Sequence, residues 1–342
     1  MDSNPLVSVI MIFLNAQSYI QEAIESIFSQ RYVNWELLLI DDGSTDESTQ
    51  IAKSYSAKHP DKIRYFEHLG HQNRGMSTSR NVGISHSRGT YVAFLDADDI
   101  WLPEKLERQI AIMQKHPEIE FIINPALYWN LNGTKEPQRM TLVEGQLPPG
   151  AWIPKILQDG DNAACPSSIM AQRAALVQVG GFENWAPNLV EDQVMWLKVS
   201  LEDLSLYFDP TCLNVYRIHA SSCCMAASSG RKLESHIKLY SWLIGCLKKN
   251  TKFRNRFGQY LSIAELKLWE ILIERASQLA RGNGSYTPLN RLARFRANWN
   301  LIQLCKSYPG SKISGLLLLQ AFSGSIAERL KNWIIPVPPE WT

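Results

Sequence analysis

Four apolar, strand-like runs in the first hundred residues end abruptly in polar side chains, and between them the hydrophobic spacing switches to that of a helix. The runs are Val7–Phe13, Trp35–Ile40, Ile63–Phe66 and Tyr91–Leu95. Ile20, Ala23, Ile24, Ile27 and Phe28 mark a helix over 18–30; Ile51, Ala52 and Tyr55 mark a second, and a third spans about 75–87. Ser18–Gln21 and Ser44–Glu47 have the form of capping boxes at two of these starts. Runs this apolar suit strands buried on both faces, and strands alternating with helices through short connections give a parallel sheet covered on both sides. Ligands of such sheets gather beyond the carboxyl ends of the strands. That rule collects Asn15, Asp42 and the acidic run Asp96, Asp98 and Asp99 on one rim, although they lie far apart in the chain.

The acidic run carries the most concentrated charge. Phe94-Leu95-Asp96-Ala97-Asp98-Asp99 delivers three carboxylates in four positions at the end of a buried strand. Oxygen ligands at that density suit a hard divalent cation, Mg²⁺ or Mn²⁺, with positions left open for a diphosphate. An acidic turn that merely closes the strand would read the same.

Beyond it, Pro103 opens a helix with an apolar stripe of Leu106, Ile110, Ile112 and Met113, followed by a strand at Phe121–Ile123. Residues 130–150, rich in Asn, Gly and Pro, read as loop, and Cys165–Met170 as a strand before a short helix to Gly180. Asn188 can cap a helix whose first turn holds Glu191 and Asp192, where acids also simply oppose the positive helix end. Leu204–Phe208 and Leu213–Arg217 are the last strands. From Arg231 the pattern is helical throughout, over 231–249, 254–280, 288–307 and 312–332, with Gly282–Ser285 as a linker.

At 342 residues and 45% apolar content the chain can bury one large core or two modest ones. Its six cysteines form no Cys-x-x-Cys pair, which argues against a disulfide scaffold and for a soluble, cytoplasmic protein. The run Leu6–Leu14 has no basic residue ahead of it and reads as a strand rather than a signal peptide. The stretch around Leu316–Leu319 is roughly 14 residues long, short of the ~20 that a membrane span needs, so no transmembrane segment is expected. Net charge divides sharply. Residues 1–230 carry 17 Lys+Arg against 27 Asp+Glu, a balance of −10, and residues 231–342 carry 18 against 6, a balance of +12. A basic region interleaved with Trp and Leu suits an anionic surface, either membrane or nucleic acid, or is a solvated helical face; a membrane is the expected partner and nucleic acid is not.

In their order along the chain these segments resemble family 2 glycosyltransferases of the GT-A fold. The resemblance covers roughly residues 5–220. It rests on Val7–Ile10 leading to Asn15, Glu36-Leu37-Leu38-Leu39-Ile40-Asp41-Asp42-Gly43-Ser44-Thr45-Asp46, and Asn73-Arg74-Gly75 with Ser79–Ile84. It continues through Gly89–Asp99, Val179–Phe182, Glu191-Asp192 and Tyr216-Arg217-Ile218-His219.

The resemblance implies an α/β fold with a Rossmann-like, mostly parallel sheet flanked by helices. The GT-A domain would span 1–230, with nucleotide-sugar binding in 1–117 and acceptor binding and catalysis in 118–230, ahead of a basic helical region, 231–342. It also implies that Asn15, Asp42, Arg80, Asp96 and Asp98 bind the nucleotide, Asp42 at the base and Arg80 near the diphosphate, where Arg74 would add charge unless, as its position favours, it stands in a surface ion pair. Asp98, Asp99 and His219 would hold the divalent metal, Mn or Mg, although a lone histidine is as often structural. Asp192 would be the base of an inverting transfer from a UDP-sugar to a glycan or lipid-linked saccharide, with Glu191 orienting the acceptor or exchanging roles with it. The chain lacks Gln-x-x-Arg-Trp, which implies one sugar per encounter, and a basic tail of this kind would sit at the inner face of a membrane.

Two departures and two rivals accompany that reading. The family usually shows Pro and Tyr where this chain has Ile12 and Leu14, so no ring is offered to the base from there. A sugar nucleotidyltransferase would want a glycine-rich, basic loop after the first strand, where the chain reads Leu14-Asn15-Ala16-Gln17-Ser18. A non-catalytic nucleotide-sugar-binding module on the same fold would not need the whole acidic set.

Overall fold

The computed structural model describes residues 4–140, 142–159, 164–186 and 188–281. The opening strands β1 (Val7–Phe13), β2 (Trp35–Asp41), β3 (Ile63–Glu67) and β4 (Tyr91–Phe94) lie parallel in the order β3-β2-β1-β4. Every residue of β1 is buried because its two faces feed two cores. Val7, Val9, Met11 and Phe13 enter one, while Ile10 and Ile12 enter the other. Helix α1 (Ile20–Phe28) closes the first of these with Ile20, Ala23, Ile24 and Ile27, followed along the chain by α2 (Ser48–Lys58) and α3 (Met76–His86). Helix α3 lies close on β1 because Gly83 has no side chain: a Cβ there would meet Ile10 Cγ2 at 2.4 Å.

After β4 the chain adds β5 (Ile100–Trp101), α4 (Lys105–Lys115), β6 (Phe121–Ile123), β7 (Ala126–Trp129), β8 (Lys135–Pro137) and β9 (Gly145–Leu147). There follow α5 (Trp152–Asp159), β10 (Met170–Gln172), α6 (Arg173–Gln178), α7 (Glu191–Leu201), β11 (Leu206–Phe208) and β12 (Asn214–Arg217). The large sheet extends from β4 through β10, β6 and β11 to β9, with β10 and β9 antiparallel to their neighbours. A smaller sheet, β5-β12-β7-β8, stands beside the acidic rim. The architecture is the expected mostly parallel sheet with flanking helices.

Helices α8 (Cys223–Ala226), α9 (Ser229–Lys249), α10 (Thr251–Phe257) and α11 (Leu261–Arg281) follow. Leu239, Leu243, Ile244 and Leu247 of α9, with Leu268 and Trp269 of α11, join the same apolar core as Trp152 and Trp196. The described part of the helical region is therefore packed into the α/β body. The expected helices 288–307 and 312–332, the linker Gly282–Ser285 and the Leu316–Leu319 run lie outside the described residues. No described helix is long and apolar enough to cross a membrane.

Several local expectations give way to tertiary partners. Neither capping box forms: α1 and α2 begin at Tyr19 and Glu47 without a side-chain cap. Ser44 and Ser48 instead receive the backbone N–H groups of Asn15 and Ala16, which fastens β1 to the loop after β2. The segment 130–150, expected as loop, contributes β8 and β9, which find partners in β7 and β11. Cys165–Ser168 is a tight turn, with its strand beginning only at Met170. Asn188 does not cap α7; its side-chain oxygen accepts the Met76 N–H.

Candidate active site

The parallel strands end where the sequence places its polar groups. Asn15 follows β1 in a left-handed conformation (φ 52°), which asparagine tolerates better than most residues. Its side-chain oxygen accepts the Thr45 N–H at 2.7 Å, joining the tips of β1 and β2. Asp42, one residue past β2, is buried, and its carboxylate accepts the backbone N–H groups of Arg74 (2.7 Å) and Gly75 (3.0 Å). Gly43 is needed beside it: with φ 88° and a would-be Cβ 2.8 Å from Asn73 N, the 71–75 loop can approach only a glycine. Leu14 is 43% exposed on this wall, with Ile12 and Phe13 buried on opposite faces of the sheet.

The three carboxylates after β4 have three different surroundings. Asp96 pairs with Arg80 Nη2 at 2.8 Å. Asp98 points outward to His219 Nε2 at 2.9 Å, and His219 Nδ1 lies 2.9 Å from Ser221 Oγ. Asp99 is 1% exposed and both its oxygens are taken, by the Ser167 hydroxyl (2.6 Å) and the Arg217 N–H (3.1 Å). Burial and its acidic neighbours push Asp99 well above the ordinary carboxylate range, and burial raises Asp96 against the pull of Arg80. Asp99 thus braces the loop from below while Asp98 and Asp96 face its open side.

Across this rim, α7 presents Glu191 and Asp192. Glu191 is buried and bonds to Arg80 Nη1 at 2.9 Å. Arg80 is itself 1% exposed, stacked on Phe182 (5.2 Å) and held between Asp96 and Glu191, so its guanidinium faces inward. Asp192 makes no ion pair among the described residues and accepts the N–H of Gln193. Burial, and then the charge of Glu191, raise its carboxyl to about 7.

A sequence model of glycosyl transferase family 2 matches residues 8–177. The Bacillus subtilis glycosyltransferase EpsE is 34% identical over 199 residues, spanning 58% of this chain and 68% of EpsE. This chain belongs to glycosyl transferase family 2. The fold recurs in solved structures. S. aureus TarS in complex with UDP-GlcNAc superposes with a TM-score of 0.62 at 19% identity, over 88% of this chain and 80% of that one. The mannosyltransferase PcManGT from Pyrobaculum calidifontis, in complex with GDP-Man and Mn²⁺, gives 0.52 at 17%, over 94% and 86%.

As a family 2 glycosyltransferase the protein is a sugar-transferring enzyme, and its residues fit a divalent cation at the rim. Asp98 and His219 bring an oxygen and a nitrogen ligand together, and Ser221 occupies the other ring nitrogen, which fixes how the imidazole is presented. A second group, Asp41, Glu67 and His71, gathers ligand atoms within 4.8 Å at the ends of β2 and β3. Its atoms already have protein partners: Thr49 and Tyr65 on Asp41, Tyr65 on Glu67, the Ser44 carbonyl on His71. Ser167, Arg217 and Ser221 were not among the expected site residues of this glycosyltransferase. Arg217 stands inside the Tyr216–His219 motif and Ser221 just beyond it, whereas Ser167 sits in a turn that reads as strand and carries no local signal.

Proposed function

We propose that the enzyme transfers a single sugar, with inversion, from a UDP-linked donor to a hydroxyl of a glycan or lipid-linked saccharide. In this reading Asn15, Asp42 and Asp96 contact the nucleoside, and Asp98 and His219, with Asp99 behind them, hold Mn²⁺ or Mg²⁺. A bound divalent cation would supply charge neutralisation to the departing diphosphate. The acceptor hydroxyl oxygen attacks the anomeric carbon as the bond to the diphosphate breaks, and the hydroxyl proton passes to Asp192. Glu191 orients the acceptor side, and Arg80 serves the nucleotide through Asp96.

The observation that carries this reading is the division of the acidic set. Asp96 and Glu191 share one buried arginine, Asp98 is paired with a metal-type histidine, Asp99 is sealed by the Ser167 hydroxyl and the Arg217 N–H, and Asp192, with no ion pair among the described residues, has its carboxyl at about 7. A general base works best with a pKa near the working pH. The ligands of the neighbours add support: TarS was crystallised with UDP-GlcNAc and PcManGT with GDP-Man and Mn²⁺. Among the described tail residues Lys248, Lys252, Arg256, Lys267 and Arg275 are answered by Glu265, Glu202, Asp203, Glu270 and Glu234, and the net basic excess of the tail as a whole is proposed to meet an anionic membrane.

Calorimetry of UDP binding tests the donor and metal together. Wild type should bind UDP with Mn²⁺ and lose that binding in chelator, and Asp98→Asn should bind equally weakly in both. Equal wild-type affinity with and without chelator would remove the metal from the reaction.

A further inference from the structure

Beside Asp98 and His219 stands a cation that the reading above does not use. Arg217 ends β12, and its guanidinium lies between two rings, 5.1 Å from the Tyr19 centroid and 4.5 Å from that of Trp129. Its Nε donates to the Asp98 carbonyl at 3.0 Å and its backbone N–H to Asp99 Oδ1 at 3.1 Å. Nη2 turns away to Glu22 at 2.6 Å. The ring of Tyr19 also lies 4.6 Å from that of His219. One side chain therefore touches the start of α1, the end of β7 and the acidic loop.

A positive charge beside a divalent-cation site would ordinarily oppose it. Here Glu22 answers that charge on the far side, so what Arg217 offers the loop is a rigid, planar donor. We infer that Arg217 is a positioning residue, and that its stack between Tyr19 and Trp129 is what keeps Asp98 aimed at His219. The Asp98 carbonyl and the Asp99 carboxylate are both fixed by this one residue, while Ser167 holds the loop from the other side through Asp99 and the Asp96 N–H. That leaves the Asp98 carboxylate, whose partner is His219, as the part of the loop turned toward a ligand. A lysine would keep the charge but has neither a planar face for two rings nor the fork of donors.

This inference rests on the proposed role of Asp98 in holding metal, and the test separates the two. Mn²⁺ is titrated into protein with UDP present and free Mn²⁺ is counted by electron paramagnetic resonance, with thermal unfolding recorded for each variant. Asp98→Asn should abolish Mn²⁺ uptake. Arg217→Lys should weaken Mn²⁺ affinity about 10- to 100-fold, as loss of a group that orients a metal ligand typically does. Turnover at saturating Mn²⁺ should remain, because a positioning residue acts through the metal affinity that excess Mn²⁺ restores. Trp129→Leu, which leaves every hydrogen bond to the loop in place, should weaken affinity in the same direction and decides the matter if Arg217→Lys does not fold. Wild-type uptake by Asp98→Asn would overturn the metal reading itself. Loss in Asp98→Asn with wild-type affinity in folded Arg217→Lys and Trp129→Leu would overturn the role of the stack.

Discussion

Asp192→Asn should have opposite effects on activity and stability, both from one cause. In the folded protein burial and Glu191 lift the carboxyl from 3.8 to about 7. For activity, the ionised form is the one that accepts a proton, so the rate should climb with pH. Roughly a tenth of the molecules carry the active form at pH 6 and nine-tenths at pH 8, given a midpoint of about 7. Removing a general base typically costs about 10²–10⁴ in rate, or roughly 3–5.5 kcal/mol in the barrier. For stability the sign reverses. Below 3.8 both folded and unfolded chains are protonated and the site costs nothing; between 3.8 and about 7 the unfolded chain ionises while the buried native carboxyl keeps its proton, so stability is lost across that window and stays level above it. Asparagine never ionises. Asp192→Asn should therefore match wild type near pH 4 and exceed it at pH 8, by at most about 4 kcal/mol, the free energy of lifting a carboxyl from 3.8 to about 7. The assay pairs initial rates of nucleoside diphosphate release, at saturating donor and acceptor from pH 5.5 to 9, with urea unfolding at pH 4 and pH 8. Near-normal turnover in Asp192→Asn, or a wild-type profile flat between pH 6 and 8, would refute the reasoning. If Glu191→Gln keeps turnover with its acid limb displaced to lower pH, the division of roles between the two acids stands; if it loses turnover while Asp192→Asn does not, the roles exchange.

Arg80→Met should destabilise the protein by roughly 3–5 kcal/mol in urea, because it leaves Asp96 and Glu191 buried without their shared cation, and a cost below 1 kcal/mol would show that the bridge is not formed. Gly83→Ala should cost about 1–3 kcal/mol by forcing α3 off Ile10, read as a lower urea midpoint with unchanged slope. Co-sedimentation with anionic liposomes should be strong at low salt and weak at high salt, and absence of binding at both would leave the basic helices a structural role alone.

The sequence by itself determined the parallel half of the sheet and the rim on which chemistry collects. Both follow from short-range facts: strands buried on both faces must be apolar throughout, helices repeat every three to four residues, and carboxylates at a strand end are visible as letters. It also located Asp98 with His219, through motifs 121 residues apart that the structure joins. Only the tertiary structure decided what each charge does. The three acids after β4 look alike in sequence, yet one meets Arg80, one meets His219 and one is sealed by Ser167 and Arg217. Arg80, expected beside the diphosphate, turns inward because Asp96 and Glu191 converge on it from 16 and 111 residues away. Strands β8 and β9 and the turn before β10 were illegible for the same reason. A three-residue strand carries too little periodicity to declare itself, and it becomes a strand when a neighbour supplies the ladder of hydrogen bonds; a buried charge likewise takes its role from whichever partner the fold sets against it, because in a low-dielectric interior that partner outweighs anything local.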